Sequence, residues 1–126
     1  MHYVDSSLKG FISTADTSAT SNIGLAVKLD AAGQAVLATA ATDNIVGTLT
    51  DGATAGRVCQ VRLRSCTGTL NVQAGAAIAK DAPVTSNATG QAIVTAVAGN
   101  QIIGYALEAA SGVGQIIEVM PSTAKF

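Results

Sequence analysis

The sequence predicts an all-β fold: a small β-barrel or β-sandwich built from two pseudo-repeated β units, with an extended N-terminal arm. Three observations carry this expectation. From Asn22 onward, runs of four to eight aliphatic or β-branched residues alternate with Gly, Asp and Asn punctuation every 8–12 residues, the rhythm of short antiparallel strands. No stretch sustains the apolar periodicity of a long amphipathic helix. A block in the first half of the chain recurs 57 residues later, as duplicated supersecondary units do. At 126 residues the chain has room for one such domain, residues 23–126, behind an arm of residues 1–22.

Ser and Thr dominate the arm, and neither a strand nor a helix period runs through it. Two readings stay open: a disordered tail, or a segment that orders on a partner, with Tyr3, Val4, Leu8, Phe11 and Ile12 as anchors. Two of the four aromatic residues fall within the first eleven positions, which puts docking on an equal footing with the tail. The first strands are expected at Leu25–Leu29, Ala35–Thr39, Ile45–Thr50, Arg57–Arg64 and Thr67–Gln73. Pro83–Ser86, Ala92–Ala96, Ile102–Glu108 and Gln115–Met120 follow. Alternation is clearest between Arg57 and Arg64, where Cys59, Val61 and Leu63 face one side and Gln60, Arg62 and Arg64 the other. Arg57, Arg62 and Arg64 are then either a solvated strand face or a contact patch for acidic groups of a partner. Ala40-Ala41 and Ala109-Ala110 could each hold a single helical turn.

The repeat pairs Gly33-Gln34-Ala35-Val36-Leu37 with Gly90-Gln91-Ala92-Ile93-Val94, and Ile45-Val46-Gly47 with Ile102-Ile103-Gly104. After a one-residue slip, Gly56-Arg57-Val58-Cys59-Gln60-Val61 pairs with Gly114-Gln115-Ile116-Ile117-Glu118-Val119. The two copies, residues 23–64 and 80–120, can each bury the face that the other cannot cover alone. The glycine after each Ile-Val or Ile-Ile pair marks a bulge or a close approach of backbones.

Composition closes off much chemistry. Hydrophobic residues are 48% and charged ones 12%, which excludes a disordered polyelectrolyte. A net charge of −1 offers no field to attract nucleic acid or an anionic membrane, so neither is an expected partner. No run of 18 apolar residues is present to span a bilayer, and Met1–Asp5 has neither the basic segment nor the apolar stretch of a secretory signal. Aromatics are only 3% and Ala about a fifth of the chain, so the core is thin and aliphatic. That predicts modest stability alone and burial of further surface in an assembly. His2, Cys59 and Cys66 provide no paired zinc-ligand spacing, and no metal or cofactor is expected. The two cysteines read as buried free thiols, with a disulfide as the alternative. The eight acids are scattered singly, several beside turn residues as in Thr50-Asp51-Gly52, with no pair spaced as an acid/base couple. No phosphate-binding glycine string occurs, and Asn87-Ala88-Thr89 reads as a turn before Gly90 rather than a glycosylation site. An enzyme is not expected.

Val46-Gly47-Thr48-Leu49, a turn, and then Gly56-Arg57-Val58-Cys59-Gln60-Val61-Arg62-Leu63 resemble the core pattern of tailed-phage head decoration proteins, also called capsid cement proteins. Gly68-Thr69-Leu70-Asn71-Val72, Ala79–Val84, Gly90-Gln91-Ala92 and Ile103-Gly104-Tyr105-Ala106-Leu107 continue the pattern, across roughly residues 23–120. At one place the chain departs from it: Lys80-Asp81-Ala82 stands where Gly-Asp is expected before Pro83-Val84. The resemblance implies a β-rich structural protein on the outer surface of a virion capsid, made in the host cytoplasm. It also implies a homotrimer at local three-fold positions that clamps the major capsid protein and stabilises the shell, with an N-terminal arm adding to the contact. Tyr3, Val4, Leu8, Phe11, Ile12, Arg62 and Arg64 are the expected contacts with the capsid or a neighbouring subunit. The alternatives are another phage β-module, from a tail, baseplate or head fibre, and a lipoyl- or biotinyl-carrier domain. The carrier needs a lysine at a hairpin tip, whereas Lys28 falls within a strand and Lys80 is the remaining candidate. A carbohydrate-binding sandwich would need exposed aromatics, of which the domain offers Tyr105.

Overall fold

The duplication in the sequence is a duplication of topology. The computed structural model describes residues 8–64 and 68–122. The first unit comprises β1 (Leu8–Ile12), β2 (Ala26–Leu29), β3 (Ala35–Leu37), β4 (Ile45–Asp51) and β5 (Val58–Leu63). The second comprises β6 (Leu70–Gln73), β7 (Pro83–Ser86), β8 (Ala92–Val94), β9 (Gly104–Ala106) and β10 (Ile116–Pro121). The first sheet runs β1-β5-β4-β2-β3 and the second β6-β10-β9-β7-β8, the same order displaced by one unit. All ladders are antiparallel. The fold is therefore all-β and sandwich-like, as the sequence predicts. The duplication also takes in β1, whose residues fall within the expected arm, and β6.

Each sheet curls until its first and last strands meet. Ser13 bridges Ala35 in parallel, and Ala74 bridges Ala92 in the same way. Beside these bridges, Thr14 N–H donates to Ala35 at 3.0 Å and Gly75 N–H to Ala92 at 2.8 Å. One bridge is not a ladder, so the sheets stop short of closed barrels. Ala40-Ala41 and Ala109-Ala110 lie in irregular backbone; among the described residues the helical piece is a 3₁₀ turn at Thr20–Asn22.

The hairpin turns repeat atom for atom. Asp30 Oδ1 accepts from the N–H groups of Ala32 and Gln34, each at 2.9 Å. Asn87 Oδ1 accepts from Thr89 and Gln91 at 2.9 and 3.0 Å. An Asx side chain thus caps its own turn, and a glycine with positive φ follows: Gly33 at 77° and Gly90 at 82°. The sequon asparagine is engaged in its turn, as expected. Gly47 and Gly104 are sites of close approach. A side chain at Gly47 would press on the carbonyl of Arg62, and one at Gly104 on the carbonyl of Met120.

Two aliphatic cores result. Val27, Ala35, Leu49, Cys59 and Val61 fill the first sheet, with Phe11, Leu37, Val46 and Ala53 packed against them. The second core holds Leu70, Val72, Val84, Ile103, Ala106, Ile117 and Val119 of the second sheet. It also takes in Ala26, Ala38 and Ile45 of the first unit. The units are thus joined through apolar packing on the face of the first sheet that turns away from its own core.

Candidate binding surface

A small cavity lies in the first core. The cavity in the first core, between Ser13, Thr17, Val27, Ala35, Leu49 and Cys59, measures about 10 Å³, at most the space for one water. Among the described residues no group of three or more His, Cys, Asp or Glu side chains converges on a point. Cys59 is free and buried, and burial pushes its thiol above the usual value, away from nucleophilic character. Cys66 lies outside the described residues. No helix among the described residues is long and apolar enough to cross a membrane.

The arm residues divide. Tyr3 and Val4 lie outside the described residues. Leu8, Phe11 and Ile12 belong to β1, opposite Arg62, Cys59 and Val58 respectively on β5. Strand alternation turns Phe11 inward, half-buried against the first core, with the Lys9 ammonium 5.6 Å from its ring centroid. Leu8 and Ile12 point to the other face, 42% and 43% exposed. Val58, which shares that face, is 60% exposed. Leu8, Ile12 and Arg62 are thus brought together and Phe11 is not.

The two arginines are engaged within the fold. Arg62 Nε donates to the Thr69 carbonyl at 2.6 Å. Arg64 donates from one Nη to the Ile102 carbonyl at 2.9 Å and from the other to Gln101 Oε1 at 3.1 Å. All three bonds tie β5 or its end to the second unit. Burial lowers the basicity of the Arg64 guanidinium, which stays charged because its starting value is so high.

Other polar contacts complete the joint. Gln73 N–H donates to the Gly24 carbonyl at 2.9 Å, and its side-chain amide to Ser21 at 2.7 Å. Ala26 N–H donates to Gly90 at 2.8 Å. The Ala41 carbonyl accepts from Gln101 N–H at 2.8 Å and the Thr85 hydroxyl at 3.2 Å.

The second sheet has its own outward apolar group. Tyr105 pairs with both Met120 and Pro83 across the ladders. Tyr105 is 37% and Met120 53% exposed, and Pro83 is half-buried. Val58 and Met120 are exposed groups that strand periodicity alone does not single out. A signal was present in the repeat: Tyr105 falls where the first copy has Thr48, and Met120 where it has Arg62. In the second copy, apolar side chains thus stand on the sheet face where the first copy has polar ones.

Compared with known proteins, residues 65–121 match the family model described as phage cement protein. That span holds the whole second unit. No curated protein matches the chain. Among solved structures, the chain is similar to the N base of the head fibre gp8.5 of bacteriophage phi29. That likeness has a TM-score of 0.69 at 21% identity, over 94% of this chain and 96% of that one. It is a likeness of fold, and it spans both units of this chain.

Proposed function

We propose that this chain, a phage cement family protein over residues 65–121, is a capsid-stabilising structural protein of a virion. The observation that carries the reading is the family match, which coincides with one complete structural unit, β6–β10. In the finer reading, the protein sits as a trimer on the outer capsid surface, bound to the major capsid protein, and works by adhesion rather than catalysis. A bound layer stabilises a shell only by its differential affinity for one lattice state over another. A cement protein therefore has to bind the expanded shell more tightly than the unexpanded one. Such work needs area and strand edges, and the fold supplies both. Tyr3 and Val4, just ahead of edge strand β1, are the proposed shell contacts together with Leu8. A segment bound there can add a strand to a sheet of the shell through main-chain hydrogen bonds. Ile12 is assigned to a neighbouring subunit, and Arg62 and Arg64 hold the contact surface in shape from behind.

Co-sedimentation with expanded and unexpanded capsids lacking this protein tests the proposal. Binding to expanded shells, with a rise in their melting temperature, is expected. Equal binding to both states, or binding to neither, overturns it. Removal of residues 1–7 is expected to weaken shell binding and leave the domain folded; unchanged binding would remove the arm from the contact.

The second reading is a head-fibre base, supported by the fold likeness. It places the domain as the foot of an elongated projection rather than as a flat layer, and imaging of particles carrying the protein distinguishes the two.

A further inference from the structure

The joint between the two units is not reciprocal. The Asn87–Gln91 turn of the second unit plugs into the first, where a side chain at Gly90 would meet the carbonyls of Ala26 and Ala38 at 3.3 and 3.4 Å. The equivalent turn of the first unit, Asp30–Gln34, has the same backbone and hydrogen bonds. Yet nothing lies within 4 Å of where a side chain at Gly33 would project. Beside the plug, Gln73 bonds to Gly24, and Ile116 lies 3.2 Å from where a Gly24 side chain would start. The equivalents of Gln73 and Ile116 in the first unit are Ile12 and Val58, both exposed.

The socket shows the complementary asymmetry. Ala26 and Thr48, on the covered face of the first sheet, are each 1% exposed, and Arg62 is tied to Thr69. Their equivalents in the second sheet are Pro83, Tyr105 and Met120, the outward apolar group. One plug and one socket are therefore engaged within the chain, and one of each remains open at its two ends.

We infer that copies of this chain join head to tail by repeating the internal joint. The plug of one copy's first unit (the Asp30–Gln34 turn, Ile12 and Val58) enters the socket of the next copy's second unit (Asp81, Pro83, Tyr105 and Met120). The bond from Gln73 N–H to the Gly24 carbonyl becomes one from Ile12 N–H to the Asp81 carbonyl. The bond from Ala26 N–H to Gly90 has no counterpart, because Pro83 has no N–H to give. Apolar contact replaces it: Ile12 stands for Gln73, Tyr105 for Thr48 and Met120 for Arg62. That exchange follows from the linkage. Within one chain the tether supplies a high effective concentration, whereas separate chains must meet the cost of association from the surface itself. A head-to-tail joint generates a ring when its rotation closes, and three copies would place six equivalent five-stranded units around it. Only the number of copies rests on the proposed function.

The test uses the full chain without capsids, so its outcome is separate from shell binding. One variant carries Ile12→Glu and Val58→Glu in the plug, the other Tyr105→Glu and Met120→Glu in the socket. Analytical ultracentrifugation is expected to show an oligomer for the unsubstituted chain and a monomer for each variant. A one-to-one mixture should give dimers and nothing larger, because one intact plug meets one intact socket. Retention of the full oligomer by either variant, a mixture that stays monomeric, or an unsubstituted chain that is monomeric overturns the inference. Far-ultraviolet circular dichroism confirms folding, and Val58→Lys with Met120→Lys, as single substitutions, carry the same test if a double variant does not fold.

Discussion

Asp81 occupies the backbone position that Gly24 holds in the first unit. Both take a left-handed conformation, φ 69° and 87°. Each N–H reaches back to the following strand pair, Asp81 to Ala106 at 2.7 Å and Gly24 to Leu49 at 2.8 Å. This is where the chain departs from the glycine expected by resemblance, and the geometry is kept in spite of it. An aspartate tolerates that region better than most residues but at a cost that glycine avoids. Asp81→Gly is therefore expected to raise stability by on the order of 1 kcal/mol, read from denaturant midpoints. Gly24→Ala is expected to lower it by roughly 1–3 kcal/mol, because its new carbon would also sit 3.0 Å from the Gln73 nitrogen. A gain for Gly24→Ala would contradict the conformational argument.

Gly47 and Gly104 make a second matched pair, with a different constraint. Neither has a positive φ; what each needs is the absence of a side chain facing a carbonyl on the neighbouring strand. Backbone cannot yield as a flexible side chain can, so Gly47→Ala and Gly104→Ala should each destabilise by about 1–3 kcal/mol or more. A thermal melt of each single variant checks this. Equal losses would mark the two positions as mechanically equivalent, while an unchanged melting temperature for either would show that the strands can part there at no cost.

The sequence made most of this fold legible because nine of the strands among the described residues, β2–β10, are bounded by turn residues and face a core on one side. β1 escaped for physical reasons. Gly10 interrupts its alternation, and the missing side chain makes room for Val58, whose Cγ1 would lie 2.8 Å from a Cβ there. Lys9 falls on the same side as Phe11 and is accommodated at the sheet edge over the ring, so polarity and facing disagree. The apolarity of Leu8 and Ile12 is legible in the sequence, but their shared exposed face is set by the pairing of β1 with β5. The partners of Arg62 and Arg64 lie 7 and 38 residues away in sequence, and no strand pattern announces contacts between units.

Arg64 tests how firmly the two units are held together. Its guanidinium reaches the Ile102 carbonyl and Gln101 side chain with two separate nitrogens, a fork that an ammonium cannot reproduce. Arg64→Met keeps much of the apolar stem while leaving the Ile102 carbonyl without this donor. A loss of about 1–3 kcal/mol is expected. Arg64→Lys should recover only part of it. Full recovery by lysine in equilibrium unfolding would show that charge matters there and forked geometry does not.

The matched turns make an internal control for acid sensitivity. The Gln34 N–H chiefly, with the Thr14 hydroxyl and the Ala32 N–H, holds the Asp30 carboxyl below its ordinary value against desolvation. A group whose pKa is depressed on folding adds stability above its unfolded value, about 3.9. That stability is lost as pH falls through the folded value. Asn87 makes the equivalent bonds in the second unit and does not titrate in this range. Asp30→Asn should therefore keep the first turn capped at every pH. The difference in melting temperature between the unsubstituted chain and Asp30→Asn is expected to be level above about pH 5 and to shift towards the variant below about pH 4. Asp16 and Asp43, also held below their usual values, are common to both proteins and cancel in the comparison. A difference that stays level down to about pH 2 would mean that protonated Asp30 still accepts both turn hydrogen bonds, and that the turn is held by Gly33 and its backbone alone.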